Sequence, residues 1–220
     1  MPETPTSPTT TPEEVLATAQ HMLADGLVEG TSGNISGRLP GGRVCLTPSS
    51  VAYDTMTLDD LVVLDESGTV LSGHRSPTTE KDLHLSALRR YPELGAVIHT
   101  HAVYATMFAV AHEAIPAVIE EVVVYVGGDV PCCEYRGTGT AELGDEVAGR
   151  LADRGAVLLA NHGLVTCGAT PAKALHLATL VERTAKIVWG TRAMGGEIQP
   201  LPERVNRDMA GVYRWVRENP

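Results

Sequence analysis

The chain has few cysteines, an excess of acidic over basic residues, and no long apolar run. Its four cysteines, Cys45, Cys132, Cys133 and Cys167, show no C-x-x-C spacing. That argues against a disulfide framework and predicts a reduced, cytoplasmic protein. Lys and Arg number 17 against 27 Asp and Glu, a formal net charge of −10. With no clustered basic run, nucleic acid and anionic membrane surfaces are excluded as partners. A phosphorylated small molecule would have to be held by local groups against the overall field. No apolar stretch approaches ~20 residues, so no membrane span is expected. The opening "MPETPTSPTTTPEE" lacks both the basic and the apolar region of a signal peptide and predicts a disordered Thr/Pro tail over residues 1–10. There is no internal repeat, Walker loop, G-x-G-x-x-G after a strand, or H-E-x-x-H.

What remains is an ordinary globular composition. The 220 residues are 43% hydrophobic and 20% charged, which suits one domain, expected over residues 11–220. Thr11-Pro12-Glu13-Glu14 predicts a capped helix start with a capping box, followed by Val15, Ala19 and Met22 on one face. "LPGG" predicts a hairpin between "GTSGNISGRL" and "GRVCLTPSS", and "LVVLDESGTVLSG" predicts a second strand pair. "SPTTEKDLHLSALRRY" predicts a helix capped by Thr79. The strand "GAVIHTH" leads into an apolar helix over 102–112. "VIEEVVVYVGG" reads as a strand, with a helix as the alternative, and "VPCCEY" as another strand. A helix over 140–153 precedes two strands broken at Asn161-His162-Gly163. A long helix from Thr170-Pro171 to about Met194 and an amphipathic helix over 203–217 complete the chain. Clustered strands without a regular βαβ rhythm predict an α/β or α+β sandwich, not a doubly wound sheet.

The candidate chemistry starts in "GAVIHTHAVYA". Strand side chains alternate between faces, so His99 and His101 project together, ~7 Å apart at Cα. They are either hydrogen-bonded core histidines or two ligands of one metal. His162 stands at a break between apolar runs, where Gly163 permits a tight turn with positive φ. It is either a turn histidine or a third ligand. Three neutral imidazoles leave an open position on a divalent ion, the layout of a catalytic zinc site. Glu80 lies at the start of a helix, where a carboxylate is favoured by the helix dipole. It is a candidate acid/base group or simply a good helix-start residue. "TSGNIS", "TPSS" and the hydroxyls of Thr78 and Thr79 can cradle a phosphate or form ordinary turns. His84, one turn from Glu80, is read as structural, as are the remaining histidines.

Together, "GLVEGTSGNISGR", "LTPSS", "SPTTEKDLH", "AVIHTHAVYAT", "VPCCEYRGTGT" and "LLANHGLVTCG" resemble the class II aldolase/adducin family, in its order, over residues 12–195. The resemblance implies a mixed, largely antiparallel sheet between helix layers, and a homotetramer with active sites at subunit interfaces. It implies zinc on His99, His101 and His162, with Glu80 as the resting fourth ligand and the acid/base group. Gly33, Asn34, Ser49, Ser50, Thr78 and Thr79 would surround a substrate phosphate. The implied reaction is reversible cleavage of a (deoxy)ketose 1-phosphate, such as L-fuculose 1-phosphate or 5-deoxyribulose 1-phosphate, to dihydroxyacetone phosphate and an aldehyde. The branch acting on fuculose phosphate carries a tyrosine after "IPA". This chain has Glu120 and Glu121 there, and counting back from Gly127-Gly128 favours Glu121 as the second catalytic group. A glutamate there is similar to the methylthioribulose-phosphate dehydratase branch. Dehydratase, decarboxylase or 4-epimerase chemistry on the same site is therefore the alternative, and a non-catalytic adducin-like module the third reading. Tyr213 is a candidate for a mobile catalytic tail tyrosine.

Overall fold

A computed structural model describes residues 7–219. The elements are α1 (Pro12–Ala24), β1 (Asn34–Leu39), β2 (Arg43–Leu46), β3 (Val62–Leu64), β4 (Val70–Ser72), α2 (Lys81–Arg90), β5 (Ala96–Thr100) and α3 (Val103–Ala111). They continue with α4 (Glu120–Val126), β6 (Cys132–Cys133), α5 (Ala141–Arg150), β7 (Ala156–Leu159), β8 (Gly163–Gly168), α6 (Pro171–Ala193) and α7 (Glu203–Glu218). The strands form one sheet in the order β4-β3-β2-β1-β5-β8-β7-β6. Every pairing is antiparallel except β6 with β7. This is the mixed, largely antiparallel α/β sandwich that the sequence predicted.

Side-chain alternation divides the sheet into two faces. On one, Leu83 and Leu88 of α2 and Leu143 and Val147 of α5 pack on Val97, Val157 and Val165. On the other, α1, α3, α4 and α6 cover Ile35, Ala96, Ile98, Leu158 and Leu164. Each fully buried Leu or Val contributes roughly 1.5–3 kcal/mol. No helix among the described residues is long and apolar enough to cross a membrane.

Three local expectations change. The β-branched run "EEVVVYV" favours a strand by propensity, but it forms α4, whose Val122, Val123 and Val126 are buried. Gly127, at φ 100°, ends the helix in the left-handed region. The cap of α2 is Glu80, not Thr79, which is exposed. The expected tail falls on residues 1–6 outside the described residues, but at its end Thr10 is buried and donates its N–H to the Arg38 carbonyl at 2.7 Å. α1 begins as predicted, with Thr11 and Glu14 forming a capping box.

Candidate active site

β5 and the turn between β7 and β8 bring three histidines together. His99 is the fourth residue of β5 and fully buried; His101 follows the strand's end. Their Nε2 atoms lie 3.1 Å apart. The His162 ring centroid is 4.6 Å from that of His99 and 5.1 Å from that of His101. One nitrogen from each ring lies within 4.8 Å of the other two.

The turn that delivers His162 differs from expectation in one respect. The left-handed residue is Asn161, at φ 56°, not Gly163. Asn161 donates its N–H to the Ala109 carbonyl at 3.0 Å, and its Oδ1 accepts from His112 Nε2–H at 2.6 Å. Gly163 is needed for space. A Cβ there would collide with the Thr100 carbonyl and sit 3.2 Å from the His101 ring and 3.3 Å from that of His99. α3 starts directly after His101 without a side-chain cap of its own. Glu182 of α6 fills that role, accepting from the N–H groups of Tyr104 at 2.9 Å and Ala105 at 2.8 Å.

Glu80 reaches the cluster from the start of α2. Its Oε2 lies 3.4 Å from His99 Nε2 and its Oε1 3.6 Å from His162 Nε2. Asn34, which pairs with His99 across β1 and β5, donates Nδ2–H to Oε2 at 2.8 Å. Oε1 is buried with no hydrogen-bond partner among the described residues. Burial, reinforced by the neighbouring histidines, holds the His99 pKa well below its ordinary value, and burial is also the main cause of the lowered His101 pKa. The two rings are therefore neutral at pH 7. His99 Nδ1 lies 3.1 Å from the Leu164 carbonyl, so Nδ1 carries the proton and the Nε2 lone pair faces the cluster.

These residues fit a divalent metal. The donors are imidazoles from three points of the chain, converging beside a buried carboxylate oxygen that lacks a hydrogen-bond partner among the described residues. The cysteines offer no alternative nucleophile: burial pushes the thiols of Cys45, Cys133 and Cys167 up to about 12.

Residues 13–189 match the model of the class II aldolase and adducin N-terminal domain family. The chain belongs to that family. This class II aldolase-family chain is 36% identical over 202 residues to the 5-deoxy-D-ribulose 1-phosphate aldolase of Bacillus thuringiensis serovar kurstaki, covering 91% of this chain and 94% of that one. It is 34% identical over 199 residues to the L-fuculose phosphate aldolase of Escherichia coli K12, covering 90% of each. A solved L-fuculose 1-phosphate aldolase superposes with a TM-score of 0.88 at 31% identity, over 94% of this chain and 99% of that one. The chain is accordingly an enzyme of the aldolase (lyase) class.

The three loops of this class II aldolase-family site that the sequence assigned to a phosphate lie side by side. Ser49 donates its N–H to the Ser76 carbonyl at 2.9 Å, Thr78 donates to Thr47 at 3.3 Å, and Pro48 bridges to Pro77. Asn34 joins the third loop to Glu80. The Ser49, Ser50 and Thr79 side chains make no hydrogen bond among the described residues, and Ser50 and Thr79 are exposed. Gly33, at φ 71°, passes so close to β5 that a Cβ would meet the His99 carbonyl at 2.7 Å. The Tyr53 hydroxyl donates to its carbonyl at 2.6 Å.

Two sequence candidates are not brought to the histidines. Glu121 is exposed on the first turn of α4 and pairs with Arg183 at 2.8 Å. Tyr213 is buried where α7 packs on α4, and its hydroxyl accepts from Arg217 at 3.0 Å. It lines a cavity of about 310 Å³ with Leu94, Cys167 and Gly168. Those residues lie at the end of β5 and β8 opposite the histidines, about 16 Å away by strand rise. A smaller cavity, about 120 Å³, opens beside His162 and includes Tyr135 and Arg136. Sequence reasoning gave neither of these a role, although both stand inside the matched segment "VPCCEYRGTGT".

Proposed function

We propose that the chain is a zinc-dependent aldolase that reversibly cleaves a (deoxy)ketose 1-phosphate, such as L-fuculose 1-phosphate or 5-deoxyribulose 1-phosphate, to dihydroxyacetone phosphate and an aldehyde. The observation that carries this reading is the convergence of the His99, His101 and His162 imidazoles beside the buried carboxylate of Glu80. His99, His101 and His162 hold the metal, and Glu80 completes the set at rest. A divalent cation there supplies Lewis-acid polarisation of a carbonyl oxygen.

The chain's own residues do the rest. Glu80 stands ready to move a proton on and off the C3 carbon once the C3–C4 bond has broken. Cleavage also releases the proton of the C4 hydroxyl, so a second group must accept it. Glu121 is proposed for that role, in the site of a neighbouring protomer of a homotetramer. Its exposure on α4, and the exposed Val103, Met107 and Val110 on α3, support a second copy at this face. Gly33 and Asn34, Ser49 and Ser50, and Thr78 and Thr79 surround the phosphate. The free hydroxyls and the start of α2 suit an anion despite the net charge of −10.

Glu121 in place of a tyrosine also favours a second reading, a dehydratase, decarboxylase or 4-epimerase that begins with the same chemistry. The experiment is exchange of the C3 hydrogens of dihydroxyacetone phosphate in D2O, without aldehyde. Exchange of one hydrogen that stops with chelator supports the aldolase half-reaction. No exchange in protein shown to carry metal contradicts it.

A further inference from the structure

A line of buried polar side chains runs from β1 through α2 and ends on Glu80. His84 is fully buried on α2. Its Nδ1 lies 2.8 Å from Ser36 Oγ and its Nε2 2.5 Å from Asn34 Oδ1. Asn34 then donates Nδ2–H to Glu80 Oε2 at 2.8 Å. Ser36 and Asn34 are alternate residues of β1, so both face α2.

The direction of each bond follows from the last one. A carboxylate only accepts, so the Asn34 NH2 faces Glu80. The Asn34 oxygen is then left for His84, whose Nε2 must carry the proton. The Nδ1 lone pair in turn accepts from the Ser36 hydroxyl. Burial keeps this ring neutral, with a pKa pushed down to about 3.

We propose that His84 is a positioning residue: through Asn34 it anchors Glu80 by Oε2 and leaves Oε1, on the His162 side, free to exchange protons with substrate. Without the His84 N–H the Asn34 amide is free to turn its oxygen toward the carboxylate, which repels it. Packing alone does not call for this line. Ser36 and His84 are 0% exposed and Asn34 is 4% exposed, beside an apolar cluster that includes Leu83, Leu88 and Val97. Buried polar groups are costly unless fully bonded, and apolar residues of similar size would join α2 to the sheet without that cost. The role rests on the reading of Glu80 as the acid/base group.

Two measurements test it. The first is imidazole 15N NMR of His84 in the wild-type protein. A neutral ring protonated at Nε2 is expected; an Nδ1–H tautomer or an imidazolium overturns the relay, whatever the protein catalyses. The second compares His84→Leu and His84→Gln with the wild type in an aldol cleavage assay, with metal content measured in parallel. His84→Leu should lose roughly 10- to 100-fold in kcat, with KM little changed and metal content at the wild-type level. His84→Gln, whose amide N–H can replace the donor to Asn34, should recover part of that loss. A folded His84→Leu with wild-type kcat, or equal losses in both variants, overturns the proposal. A wild-type protein without aldolase activity overturns the preceding reading instead, and the tautomer then decides the relay alone.

Discussion

His99 donates its Nδ1–H to the carbonyl of Leu164 across the β5–β8 pair, at 3.1 Å. That single bond fixes the ring's tautomer and aims the Nε2 lone pair at His101 and His162. A core histidine satisfied on both nitrogens by protein groups would have no such free lone pair. Here the second nitrogen faces two more imidazoles.

Replacement of His99 or His162 by Ala removes one of three converging donors. Both variants should lose metal and activity, by more than about 100-fold in turnover, while the fold survives. Elemental analysis and far-UV circular dichroism check this. Wild-type metal content in either variant would remove that residue from the ligand set.

Glu80→Gln keeps the shape of the side chain and removes its proton-transfer capacity. The variant should keep the metal, bound more weakly, and lose about 10²- to 10⁴-fold in kcat. Wild-type turnover would remove Glu80 from the mechanism.

Gly163→Ala forces a methyl group against the Thr100 carbonyl and the rings of His99 and His101. Overpacking of this kind should destabilise by about 1–3 kcal/mol in chemical denaturation and weaken metal binding as the rings shift. A variant with unchanged midpoint and metal affinity would mean that the turn has room to spare.

The pH dependence of stability has a definite sign. The folded state lowers the pKa of His84 to about 3, and that of His99 well below 6.5. The unfolded chain binds these protons near pH 6.5, so it holds more protons than the folded chain below that value. Stability is therefore full above pH 6.5 and is lost as pH falls toward the folded pKa values. In chelator-treated protein, the loss should approach about 1.4 kcal/mol per pH unit for each histidine held neutral. A melting temperature that stays flat from pH 7 to pH 5 would contradict it.

Much of this site was legible because strand alternation is a strong rule. His99 and His101 had to share a face, and the break at Asn161-His162-Gly163 had to be a turn. Which residue of that turn takes the left-handed conformation was not legible, because the answer depends on crowding by Thr100 and the His101 ring from another strand. The "EEVVVYV" segment was misleading for a similar reason: its valines suit a strand locally, and only packing among α6 and α7 makes them a helix. His84 was passed over because its partners, Asn34 and Ser36, are 50 and 48 residues away. The burial of Tyr213 was not legible, because position near the end of the chain says nothing of the packing of α7 on α4.

The most direct test is release of dihydroxyacetone phosphate from L-fuculose 1-phosphate and from 5-deoxyribulose 1-phosphate, with and without chelator. Release should occur from at least one of them, stop with chelator and return with zinc. No release from either, in protein shown to carry zinc, would contradict aldol cleavage and leave Glu121 as the next residue to test.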